Sequence, residues 1–212
     1  MSPCGAAGDP SAAGPPPQPP RGGEASRASV ELRRLDACFD SHIHLDRVAD
    51  PTAPTPIYDA LVPGIDPAAT EAQLFAPRAG WHIGAAVHPW TIGELGPIDD
   101  PRAAHVRALV ADARVVAVGE TGLDALRHTT DAARAQAAAW FRFHLELAAA
   151  ANKPVIVHCV RAHAACAELL RSAPRTRGVV HAFAGSPDEA RAYACMGYLV
   201  GIGPAVTRLR ST

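Results

Sequence analysis

The stretch DSHIHLDR, residues 40–47, sets His42 and His44 on either side of one isoleucine, with Asp40 and Asp46 just outside them. Side chains two apart on an extended strand face the same side, so two imidazoles at this spacing can reach one ion together. Later apolar runs close on residues of the same kind: His88 after WHIGAAV, Glu120 after VVAVG, His158 after PVIV and His181 after GVV. A single histidine is as readily a hydrogen-bonded core or surface residue as a ligand. Imidazoles and a carboxylate repeated at the ends of successive runs form a donor set, and the chemistry they suit is metal-assisted hydrolysis.

Those residues need a scaffold that brings run ends together. The apolar runs LDACFDSH (35–42), DALVPG (59–64), WHIGAAVH (81–88), VVAVGE (115–120), KPVIVHC (153–159), GVVHAF (178–183) and YLVGIG (198–203) read as strands. Between them AAHVRALVAD, ARAQAAAWFRFHLELAAAAN and RAHAACAELLRS have helical composition and length. Alternating strands and helices imply a parallel sheet. Seven strands, with no glycine-rich dinucleotide fingerprint after the first, favour a (β/α) barrel over an open sheet. In a barrel all strand ends of one polarity share one rim, where active sites are built. His82, His105, His128 and His144 lack that placement and are expected on surfaces or helix faces.

The 212 residues, 48% of them hydrophobic, suffice for one sizeable core. A formal net charge of −1 supplies no broad basic field for a nucleic-acid backbone, so contact with phosphate must be local, and metal ions could provide it. Five cysteines without a C-x-x-C pair match neither a zinc ribbon nor a secreted disulfide framework, and a reducing cytoplasm is expected. Neither a signal-peptide core nor the roughly 20-residue apolar run of a membrane span occurs, so a soluble protein without a membrane partner is expected. The opening GAAGDPSAAGPPPQPPRGGEASRAS is nearly all Gly, Ala, Pro and Ser, and residues 1–34 read as a disordered tail ahead of a catalytic domain over 35–212.

The blocks DSHIHLD, VHPW, GETGLD, PVIVHCVRAH, GVVHAFAGS and MGYLVGIGPAVT resemble, in order and at suitable intervals, the signature blocks of the TatD-like metal-dependent DNase family. The resemblance covers roughly residues 36–207. It implies a TIM-type barrel with two divalent ions that hydrolyses phosphodiester bonds, commonly as a deoxyribonuclease, acting on DNA or a small phosphoester. Carried over by position, His42 and His44 would hold the first ion, Glu120 would bridge the two as the catalytic carboxylate, and His158 and His181 would hold the second. Zinc, manganese or magnesium could serve, and four imidazoles favour the borderline-soft ions over magnesium. A monomer is compatible with the resemblance.

Other residues near these blocks have subsidiary expectations. His88 is read as lining the substrate pocket, because a proline-aromatic pair mainly shapes a loop. Arg161 and His163 open the helix after the fifth strand, where they can touch substrate phosphate. Asp124 either orients a ligand through a hydrogen bond or caps a loop. Cys159 should face away from His158 as a packed small side chain.

The family resemblance also implies an aspartate from an E-T-D block ending an eighth strand. No E-T-D occurs in residues 1–212, and the sequence ends at TRLRST, so the expectation is a barrel with seven of eight strands, an incomplete reading frame and a weakened nuclease. Two other H-x-H barrels compete. The cyclic-amidohydrolase type bridges its metals through a lysine, but Lys153 would lie at the opposite end of the barrel. The polymerase-and-histidinol-phosphatase type needs a D-x-H block, and none follows His181. A metal-binding remnant without turnover is the non-enzymatic alternative.

Overall fold

The computed structural model describes residues 39–44, 59–92, 98 and 101–203. The expected tail, residues 1–34, lies outside the described residues. Seven strands form one parallel sheet in the order of the chain: β1 (Phe39–Asp40), β2 (Asp59–Val62), β3 (Trp81–Ala85), β4 (Val115–Asp124), β5 (Val155–Val160), β6 (Gly178–Val180) and β7 (Tyr198–Val200). Every pairing is parallel and between sequence neighbours. The connections carry α1 (Pro67–Phe75), α2 (Pro89–Ile92), α3 (Pro101–Ala111), α4 (Asp131–Ala151), α5 (His163–Arg171) and α6 (Pro187–Cys195).

That order curls into an open half-barrel of the TIM (β/α) type, built from seven strands. In a flat sheet, five strand spacings of about 4.8 Å would hold the ends of β1 and β6 roughly 24 Å apart. Instead the rings of His42, after β1, and His181, after β6, stack at 4.0 Å between centroids, so the sheet curls. The curl divides the apolar residues into two populations. Leu61, Ala117, Ile156 and Val179 meet in a small cluster inside the curl. The larger core lies between sheet and helices, around Trp140, Phe141, Leu145, Val118, Val155 and Tyr193.

The longest helix follows directly from its sequence. Thr130 caps α4 by accepting from Ala133 N at 3.1 Å, Asp131 sits in the first turn, and Asn152 ends the helix in the left-handed conformation. Ala137, Trp140, Phe141, His144, Leu145 and Ala148 recur at helical spacing and are the face it buries. Ser186 and Glu189 form a capping box at the start of α6, behind Pro187.

Some details differ from the sequence reading. β1 is two residues long, so His42 and His44 follow the strand rather than lie in it. The pairing nevertheless extends past it, because Ile43 N donates to Leu61 O at 3.0 Å, and this keeps both imidazoles on one side. β4 runs four residues beyond Glu120, to Asp124. His128 is buried rather than on a surface, with Nε2 3.0 Å from Pro89 O. His144 does sit on a helix face, but on the inward one. Cys159 and Cys166 are free thiols, whereas Cys195 is disulfide-bonded; the absence of a framework motif does not exclude a single cross-link. Among the described residues, no helix is long and apolar enough to cross a membrane.

Candidate metal centre

Glu120 lies at the centre of the rim with 1% of its surface exposed. Five imidazoles surround it. Its Oε2 faces His42 Nε2 at 3.0 Å and His44 Nε2 at 3.3 Å. Its Oε1 faces His181 Nε2 at 2.5 Å, His158 Nδ1 at 2.6 Å and His88 Nε2 at 3.2 Å. The strand ends bring these residues together: β1 delivers His42 and His44, β3 His88, β4 Glu120, β5 His158 and β6 His181. Close backbone contact sets the depth of the centre. Gly122 has φ of +142°, and a Cβ there would stand 2.1 Å from His158 O, so only glycine lets β4 approach β5 at this point.

More nitrogen atoms converge than one carboxylate can satisfy. Glu120 Oε2 forms no hydrogen bond despite its two imidazole neighbours. His42 Nε2 and His44 Nε2 face each other at 2.9 Å. His158 Nδ1 and His181 Nε2 are 3.3 Å apart. A buried carboxylate oxygen without a hydrogen bond, ringed by imidazole nitrogens crowded against one another, is what a divalent cation would organise, so the donor set fits a metal. Two groups of three share the carboxylate: His42, Glu120 and His181; and His88, Glu120 and His158.

The hydrogen-bond pattern separates His88 from the others. Trp90 N donates to His88 Nδ1 at 3.1 Å. A neutral His88 then carries its hydrogen on Nε2, so towards Glu120 it is a donor and offers no lone pair. His158 has the opposite arrangement. Its Nε2 lies 3.3 Å from Asp124 Oδ2, which can hold the hydrogen there and leave Nδ1 directed at the centre. The same Asp124 oxygen accepts from Trp90 Nε1 at 3.0 Å, while Oδ1 accepts from Leu126 N at 2.9 Å and Arg127 N at 3.2 Å. Asp124 therefore makes both kinds of contact expected of it, one through each oxygen. In the sequence reading Trp90 had only a loop-shaping part, as the aromatic of the pair after His88. The signal available was its position two residues beyond a strand-end histidine.

Charge in the centre follows from these contacts. Burial would raise the Glu120 carboxyl, but His158, His181, His42 and His44 outweigh it and hold the group well below the ordinary range, as a carboxylate. Burial lowers His42, with His181 and His44 adding to the effect against the pull of Glu120. Burial also works to lower His158, yet Glu120 and Asp124 prevail and raise it.

Arg161 and His163 stand apart from the cluster. Arg161 is exposed after β5 with φ of +50°, and lines a cavity of about 420 Å³ with Asp124, Arg134 and Arg142. His163 Nδ1 is 3.2 Å from Cys159 Sγ and 3.1 Å from Tyr193 Oη, on the helical side of β5. Cys159 is half-buried there.

The model of the family described as "TatD related DNase" matches residues 39–212. The chain belongs to the TatD-related DNase family. Relatives in this family include the 3'-5' ssDNA/RNA exonuclease TatD of Edwardsiella piscicida, 40% identical over 120 residues that make up 53% of this chain and 45% of that protein. The uncharacterized metal-dependent hydrolase YjjV of Escherichia coli K12 is 40% identical over 47% of this chain and 38% of that protein. The chain thus spans about half the length, or less, of such sequence relatives. The crystal structure of the TatD homologue YjjV from the same organism superposes with a TM-score of 0.69 and 26% identity, over 82% of this chain and 71% of that one. A TatD-family hydrolase from Entamoeba histolytica shares the fold with a TM-score of 0.62 and 17% identity, over 77% and 64% of the two chains. Within this TatD-related chain, the His and Glu cluster supplies the candidate metal-binding groups.

Proposed function

We propose that this chain hydrolyses phosphodiester bonds in DNA through two divalent ions held by His42, His44, Glu120, His158 and His181. The observation that carries the reading is the single buried carboxylate with an imidazole nitrogen on every side, at 2.5 to 3.3 Å. Its two oxygens face different histidines, which suits a bridging role for Glu120. Ions held by these residues would supply positive charge to the scissile phosphate and would bring the pKa of a water towards about 7.

The chain's own residues do the rest. Asp124 fixes the tautomer of His158, and Trp90 fixes Asp124. His88, a donor to Glu120 Oε1, orients the carboxylate and borders the pocket. Arg161, at the rim, contacts substrate phosphate as a local cation on a surface with little net charge. His163 is turned towards Cys159 and Tyr193, so in this reading it supports the start of α5 beneath Arg161. The imidazole-rich donor set favours zinc or manganese over magnesium. The relatives named as ssDNA/RNA exonucleases make a single strand the substrate to try first.

The test is hydrolysis of a single-stranded oligonucleotide by the full chain, with and without added zinc or manganese. Activity should vanish with chelator, return with metal, and fall by about 10²–10⁴ in Glu120→Gln. Hydrolysis indifferent to both chelator and Glu120→Gln would refute the proposal.

A further inference from the structure

Asp124 pins two groups that meet beside the centre. Its Oδ2 accepts from the Trp90 indole at 3.0 Å, and its Oδ1 accepts from Arg127 N at 3.2 Å. The Arg127 guanidinium lies over the Trp90 ring, 4.7 Å from its centroid. Helix α2, which carries Trp90, is fastened a second time, through Pro89 O and His128 Nε2 at 3.0 Å. An indole held this firmly would ordinarily be covered, yet Trp90 is 41% exposed and Leu126, beside Arg127, is 57% exposed. Trp90 stands edge-on to His88 at 5.0 Å and to His158 at 6.1 Å between centroids. A partly exposed, preoriented indole with a cation stacked on it therefore borders the residues proposed to hold metal.

We propose that Trp90 and Arg127 form a stacking subsite for an unpaired nucleobase of the strand whose phosphate enters the centre. The inference rests on the nucleic-acid reading above. Aromatic rings and guanidinium planes both stack on bases, and stacking accepts any base because every base has a π-face. Bases in a duplex are already stacked on their neighbours and present only edges, so the subsite admits single strands. A protein partner fits less well, because the patch adjoins a carboxylate-imidazole centre suited to phosphate, and Arg127 can pair with the strand's backbone as well as its base.

Stacking quenches indole emission. In the full chain supplied with zinc, stopped-flow mixing with oligothymidylate should quench tryptophan fluorescence before cleavage. Trp81 and Trp140 also emit, so Trp90→Phe gives the background, in which the quench should be lost. An abasic oligonucleotide with the same phosphates should give no quench. In Arg127→Ala, kcat/KM for oligothymidylate should fall about ten-fold relative to kcat/KM for bis(p-nitrophenyl) phosphate, which has no base to stack. A quench that persists in Trp90→Phe, or an abasic strand that quenches equally, overturns the subsite. If both substrates are hydrolysed without a Trp90-dependent quench, the subsite is wrong and the hydrolase reading stands. If the quench appears and neither substrate is hydrolysed, the subsite stands and the hydrolase reading is wrong.

Discussion

His88 and Glu120 meet at 3.2 Å between Nε2 and Oε1, and the backbone decides which of them donates. Trp90 N occupies His88 Nδ1, which places the imidazole hydrogen on Nε2. Two histidines that face the same oxygen therefore have different roles: His181 can offer a lone pair, and His88 cannot without giving up the Trp90 N–H.

That difference has a measurable outcome. His181→Ala should reduce bound metal per chain, measured by elemental analysis after gel filtration. His88→Ala should retain the metal and lose hydrolysis, because Glu120 Oε1 then lacks the donor that orients it. Equal loss of metal in the two variants would make His88 a ligand.

Asp124→Ala leaves His158 in place but removes the acceptor on its Nε2. The ring can then turn, or carry its hydrogen on Nδ1, where the proposed metal would bind. Affinity should drop about 10–100-fold, as for other residues that orient a ligand. Competition for zinc against a chromophoric chelator reads this directly, and unchanged affinity would mean that packing alone holds the ring.

The strand ends were legible because most of the apolar runs close on a polar residue, a pattern that survives small errors in strand length. β1 shows the tolerance: only Phe39 and Asp40 pair as strand, yet His42 and His44 reach the centre because Ile43 continues the hydrogen bonding. α4 was legible from 21 residues of alanine, leucine and aromatic periodicity. α6 was not, since PDEARAYAC is short and mostly polar and buries chiefly Tyr193; its capping box was the only local mark. The burial of His128 and the anchoring of Trp90 were illegible for a different reason. Each depends on a partner more than thirty residues away, Pro89 for one and Asp124 for the other, and no periodicity encodes a single tertiary hydrogen bond.

Gly122→Ala tests how tightly β4 and β5 must approach. The added Cβ would lie 2.1 Å from His158 O, at a φ that L-residues rarely adopt. Strain and overpacking together should cost more than about 2 kcal/mol and displace His158 from the centre. Denaturant unfolding and metal content should therefore change together. A variant of normal stability and metal content would show that the two strands can separate without consequence.

His144 links acid sensitivity to the frame of the centre. It is wholly buried on α4, where Val87 N donates to its Nε2 at 3.2 Å and Thr121 Oγ1 lies 2.8 Å from its Nδ1. Those partners precede His88 and follow Glu120, so one imidazole braces both sides of the rim. A second proton would have to enter at Nε2, against the Val87 N–H and away from water. Burial accordingly pushes the imidazole from the ordinary 6.5 down to about 3, with only the backbone of Trp140 opposing. Between those values the unfolded chain binds a proton that the folded chain does not, so stability rises with pH there. The contribution is complete above about pH 6.5 and is lost as pH falls towards 3. One such group gives a slope of at most about 1.4 kcal/mol per pH unit. His144→Gln should be less stable at pH 8, where the brace is missing, but should lose less on acidification from pH 6.5 to 4.5. Urea unfolding of metal-free protein at both pH values, wild type against variant, isolates this histidine from the others. Equal losses would mean that His144 titrates normally in the folded chain, and the brace would then not depend on its staying neutral.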